Sequence, residues 1–174
     1  MIGSWFPWNW SEPIYYSYGN NIYYEGNTVY YGDEAVASSE EYAQQARTLA
    51  TSATEPADDV EWLPLGVFAI TQDGQASGPP PTIFLQLAVD KQGILAGTVT
   101  NTETNVVQPI EGAVDQETQR SAWVVEGQDW PIMETGLANL TKDEAPALLH
   151  FADGQTQQWL LVRVEEPDSE AGSR

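Results

Sequence analysis

The strongest constraint on this chain lies between Trp62 and Val164, where runs of strand-forming residues alternate in polarity and are separated by short polar turns. Ile83, Leu85, Leu87 and Val89 alternate with Phe84, Gln86 and Ala88, and Leu160, Val162 and Val164 alternate with Trp159, Leu161 and Arg163. Successive side chains of a strand point to opposite faces, so a period of two marks strands with one face against a core. Strands are predicted over 65–72, 82–89, 94–101, 105–111, 120–126, 131–138, 146–151 and 156–164. The turns between them, among them Asp90-Lys91-Gln92-Gly93, Thr102-Glu103-Thr104 and Asp153-Gly154, are polar and short. Connections of this length make each strand the antiparallel neighbour of the next. Eight strands without a crossover helix close as a sandwich or a barrel, and the meander favours the barrel, because closure removes exposed edges. The expected fold is all-β, an eight-stranded antiparallel up-and-down barrel. The connection Asp73 to Pro81, which ends in Pro79-Pro80-Pro81, is expected to fold over a barrel mouth.

The first third of the chain is written differently. All 8 tyrosines lie at or before Tyr42, and Trp5, Trp8 and Trp10 crowd the start. Ile22-Tyr23-Tyr24 and Thr28-Val29-Tyr30-Tyr31 flank Glu25-Gly26-Asn27, which predicts a small hairpin. A lone hairpin is marginal in water, so its aromatic face must rest on the barrel, a helix or a partner. Ser38 and Glu41 have the spacing of a capping box, and Tyr42, Ala46, Leu49 and Ala53 recur along one face of the helix they open. That face is narrow and small, as expected of a helix laid on a surface. The organisation expected is an aromatic N-terminal segment over 1–59, a barrel over 60–165 and a disordered acidic tail over 166–174.

Charge and composition exclude several functions. With 26 acidic residues against 6 basic ones and a net charge of −20, the chain lacks the basic footprint that phosphate backbones require. Nucleic acid and anionic membrane surfaces are not expected partners, and no stretch is long and apolar enough for a membrane span. Cysteine is absent, which removes disulfides, thiolate metal sites and cysteine nucleophiles.

Several runs carry a resemblance: Asn20-Asn21-Ile22-Tyr23-Tyr24, Val29-Tyr30-Tyr31-Gly32-Asp33, Glu40-Glu41-Tyr42-Ala43, Trp62-Leu63-Pro64-Leu65-Gly66, Thr118-Gln119-Arg120-Ser121-Ala122-Trp123 and Thr156-Gln157-Gln158-Trp159. Together they resemble a family of uncharacterised exported bacterial proteins, some labelled protocadherin-like. That resemblance implies an extracytoplasmic or cell-surface location and carries no activity; the given chain itself shows no secretory signal. Gly93-Ile94-Leu95-Ala96-Gly97, Ala122-Trp123-Val124-Val125, Glu134-Thr135-Gly136 and Gln158-Trp159-Leu160-Leu161 are similar in order to avidin and lipocalin barrels. The barrel segment has no tyrosine and no clear polar ligand set, so biotin binding does not carry over.

No catalytic signature is present. His150 has no serine elbow to serve, and it reads as a structural or surface residue. Glu134, within the apolar Pro131 to Leu140 strand, is the one acid singled out as a candidate, because burial would raise its pKa, although an outward-facing strand residue is the plainer reading. Asp73-Gly74 and Asp153-Gly154 lack the repeated oxygens of calcium loops, and the sequons at Asn9 and Asn139 read as chance. No metal site, catalytic residue or cofactor is expected. Trp62, Trp123, Trp130 and Trp159 are candidates for lining a ligand cavity, against a barrel filled by its own side chains. Trp5, Trp8, Trp10, Tyr23, Tyr24, Tyr30 and Tyr31 are candidates for an interaction surface, or for a strap packed on the barrel. The function expected is a non-enzymatic structural or interaction protein docking to a protein or glycan partner, with homo-oligomers open. A small-molecule or glycan-binding barrel is the alternative.

Overall fold

The structure is a computed structural model that describes residues 16–18, 20–52, 62–72, 82–115 and 117–165. Trp5, Trp8 and Trp10, the connection 73–81, Ala53 and the tail 166–174 lie outside the described residues.

The predicted strands form. They are β4 (Leu63–Gln72), β5 (Ile83–Val89), β6 (Ile94–Asn101), β7 (Val106–Val114), β8 (Arg120–Val125), β9 (Ile132–Gly136), β10 (Glu144–His150) and β11 (Thr156–Glu165), preceded in the chain by β1 (Ile22–Glu25), β2 (Thr28–Tyr31) and β3 (Glu34–Ser38). Each pairs antiparallel with the next, and β11 returns to β4, for example Leu161 opposite Ile70, so that the sheet closes into a barrel. Closure works because the alternating pattern puts one residue set inside. Leu65, Phe68, Leu85, Leu87, Leu95 and Leu161 fill the lumen and are essentially solvent-free. Burying a side chain of this size contributes about 1.5–3 kcal/mol, so the interior is a packed core of the barrel's own residues.

The two ends of the barrel differ. At one end a 3-10 turn, Ala138–Thr141, tucks Leu137 and Leu140 inward. Beside it Arg163 donates from Nη1 to the Leu65 carbonyl at 2.8 Å and from Nη2 to the Leu140 carbonyl at 2.6 Å, its guanidinium 4.8 Å from the Phe68 ring. At the other end Ile70, Val99, Val125 and Leu149 pack on the core while staying partly exposed.

Strong coiling has a local requirement. A Cβ at Gly97 would overlap the Gln86 carbonyl oxygen, and one at Gly112 would overlap the Ala122 carbonyl oxygen. Both glycines sit where neighbouring backbones approach too closely for any side chain. Gly97→Ala is expected to destabilise the barrel by about 1–3 kcal/mol through forced backbone displacement. Urea unfolding measures it, and an unchanged midpoint would mean that this strand crossing yields freely.

The aromatic segment is more elaborate than a hairpin. β1 (Ile22–Glu25) and β2 (Thr28–Tyr31) pair as predicted, but β3 (Glu34–Ser38) adds to β2 and makes a three-stranded sheet. The third strand supplies the pairing that an isolated hairpin lacks. Helix α1 (Ser39–Thr51) follows, with Ser38 and Glu41 forming the reciprocal capping box at 3.0 Å in both directions. The helix lies on the outer wall: Ala46 and Ala50 pack against Ala122, Val124 and Ile132, with Leu49 and Trp130 at the margin. The small side chains let it approach the strands closely.

Candidate functional site

The densest polar chemistry among the described residues lies between the barrel wall and this N-terminal cap. Register places Arg120, Ala122, Glu134 and Leu148 on the outward face, since Ala122 pairs with Glu134 and Glu134 with Leu148, while Trp123 and Met133 point into the core. Glu134 therefore does face outward, as one sequence reading had it. It is nevertheless fully buried, because the cap covers it.

Glu134 is held from two sides. Arg120 Nε donates to Oε2 at 2.8 Å and Nη2 to Oε1 at 2.9 Å, while His150 Nε2 stands 2.7 Å from Oε1. A carboxylate only accepts, so the proton in that last bond sits on His150, whose Nδ1 lies 2.9 Å from Thr156 Oγ1. Burial acts on Glu134 in the expected upward direction, yet the net pKa is lowered. The Arg120 charge and the hydrogen bonds from His150 and Arg120 outweigh burial and hold the carboxyl below its ordinary range. For Arg120, burial likewise disfavours the charge, and Glu134 more than restores it. The paired ions keep each other charged.

Arg120 also reaches the cap. Its Nη1 donates to Gln45 Oε1 at 2.6 Å, its Nη2 to the Tyr42 carbonyl at 3.1 Å, and its guanidinium lies 3.7 Å from the Tyr42 ring centroid. Tyr16, Tyr18, Ile22, Val29 and Tyr42 bury themselves around Leu148. Asn139 ties the backbone down at Tyr16: the Tyr16 amide donates to its Oδ1 at 2.9 Å, and its Nδ2 donates back to the Tyr16 carbonyl at 2.8 Å. The side-chain amide thus stands in for a neighbouring strand. Burial, with Glu134 nearby, holds the Tyr16, Tyr18 and Tyr42 phenols well above their ordinary pKa, and that of Tyr24 is pushed up to about 12.

The aromatic candidates divide between two roles. Tyr24 turns toward the barrel and meets Tyr42 edge-on, and Tyr31 lies beside Tyr16 while remaining 42% exposed. Tyr23 and Tyr30 occupy the opposite face of the sheet, half-buried and stacked on each other at 5.3 Å and 9°. The tryptophans do not converge on one cavity. Trp123 is in the core, and Trp159, half-buried, shares its inward parity near the less sealed end, where Nε1 donates to Gln157. Trp130 lies outside the wall under Arg47, and Trp62 is half-buried just before β4. A shallow groove runs along α1, lined by Glu40, Gln44, Thr48, Leu49 and Asp115. Sequence reasoning missed Arg120, Tyr16, Tyr42 and Asn139. The available signal was the run Ala122-Trp123-Val124-Val125, apolar on both faces, which marks a wall covered on its outer side as well.

Fold and site together define a closed antiparallel barrel with a filled lumen and an aromatic cap anchored on its outer wall by a buried Arg–Glu–His cluster. No protein-family model, curated protein or solved structure matches the chain.

Proposed function

We propose that this is a non-enzymatic interaction protein of the cell exterior, in which the barrel is a rigid scaffold and the cap carries a docking surface for a protein or glycan. The observation that carries the reading is the Tyr23–Tyr30 stack, aromatic area held on the sheet face turned away from the barrel. Tyrosines outside a core are energetically apt for recognition, since a large rigid ring loses little entropy on contact. The groups suited to acid–base work fit this reading too. Glu134 and His150 are committed to each other and to Arg120, and both are fully buried. The exterior location rests on the family resemblance alone.

The test uses labelled full-length chain on intact cells of the source organism. The Tyr23→Ser/Tyr30→Ser variant is expected to wash off while the parent is retained, with little change in melting temperature because neither ring faces the barrel. Equal retention of the two proteins would remove the docking role.

A second reading is a small-ligand barrel. Trp159 and the partly exposed Ile70, Val99, Val125 and Leu149 favour a shallow apolar site at the less sealed end over a cavity within the filled lumen.

A further inference from the structure

We infer that the partner docking on the Tyr23–Tyr30 face is an extended, Lys/Arg-rich segment of another protein. The inference rests on the docking reading above and adds the chemistry of what docks. Alternation puts Glu25 on the same face as Tyr23, opposite Thr28, while Ile22 and Val29 on the other face are buried against the barrel. Glu25 itself is exposed. The face therefore combines two electron-rich rings with a free carboxylate one side-chain repeat further along the strand.

Cations are attracted to aromatic rings and to carboxylates alike, whereas a neutral sugar gains only from the rings and an anion is repelled by the acid. The protein's field acts in the same direction, because 26 acidic against 6 basic residues steer a cationic partner in and keep a second copy of the chain away. The described arginines do not fill the face. Arg47 pairs with Asp129 over Trp130, Arg120 with Glu134, and Arg163 caps the barrel end; the described lysines, Lys91 and Lys142, lie in barrel connections.

The spacing selects a polypeptide. Same-side residues of a strand repeat at roughly 6.8 Å, so Tyr23 and Glu25 are as far apart as alternate side chains of an extended peptide. One cation then meets the rings and the next meets Glu25.

The experiment titrates full-length protein, with its tyrosine rings isotope-labelled, using the peptide Arg-Thr-Arg-Thr-Arg, its citrulline counterpart and a neutral oligosaccharide. The arginine peptide is expected to shift the Tyr23 and Tyr30 ring signals, about fivefold more weakly in Glu25→Gln, and the citrulline peptide to leave them unmoved. Equal shifts from the citrulline peptide or the oligosaccharide would overturn the cationic partner while leaving the docking face in place. Arginine-peptide shifts confined to tyrosine rings other than Tyr23 and Tyr30 would also overturn it. Loss of cell retention in the double tyrosine variant, alongside unmoved rings with all three probes, removes the partner class alone; unchanged retention removes both readings.

Discussion

Replacing Arg120 by methionine is expected to destabilise the protein by about 3–5 kcal/mol, because it leaves the Glu134 carboxylate buried without its counter-ion. Methionine preserves most of the stem's packing, so the loss isolates the guanidinium. That group makes two bonds to Glu134 and ties the wall to Gln45 and Tyr42 on α1, so the cap should loosen first. Amide exchange in α1 should accelerate at lower denaturant than in β5 and β6. Replacing both charges, as Arg120→Met/Glu134→Leu, should recover most of the loss, since a buried ion pair exchanged for apolar groups of similar volume is often neutral or better. A single variant costing under about 1 kcal/mol, the scale of exposed pairs, would show that water reaches the cluster and that it does not anchor the cap.

The second large effect is a loss of stability at both extremes of pH. Burial, with the Glu134 charge beside them, holds the Tyr16, Tyr18, Tyr24 and Tyr42 phenols above their ordinary pKa. A group whose folded pKa is raised contributes stability that is complete below its unfolded pKa and is lost as pH climbs through the folded value. The melting temperature should therefore hold up to about pH 10, the ordinary tyrosine pKa, and fall steeply beyond it. Tyr24, at about 12, lies within the accessible range. Glu134 has the opposite sign. Its carboxyl sits below its ordinary range because Arg120 and His150 outweigh the effect of burial, so its contribution is complete above about pH 4.3 and fades as pH falls further. Melting curves across pH, with tyrosinate absorbance on the alkaline side, test both limbs. An alkaline limb that survives Tyr42→Phe and Tyr24→Phe unchanged would assign it to other groups.

The barrel was legible in the sequence because its connections after β5 are short and polar and its strands alternate, and these two properties fix neighbours and faces together. Helix α1 was legible from its capping box. The third cap strand was not, since Glu34-Ala35-Val36-Ala37-Ser38 has little strand propensity of its own and forms by pairing with β2. The anchoring cluster was hidden for a different reason. Alternation identifies which residues face outward, and outward ordinarily means solvated, so His150 read as a structural or surface residue and Glu134, though singled out, as an outward-facing strand residue. Only the cap makes that face an interior, and its contacts join residues as far apart in sequence as Tyr16 and Asn139.

The unequal ends of the barrel give the molecule a polarity that matters for redesign. At the pole where Arg163 binds the carbonyls of Leu65 and Leu140, lengthening a loop would pull those backbone acceptors away from the guanidinium that donates to them. At the opposite pole the β6–β7 and β10–β11 turns are solvent-exposed, so grafted sequences there leave the packed layers untouched. Foreign epitopes or affinity tags inserted at residues 102–105 or 152–155 would be displayed on a scaffold whose melting behaviour stays that of the parent.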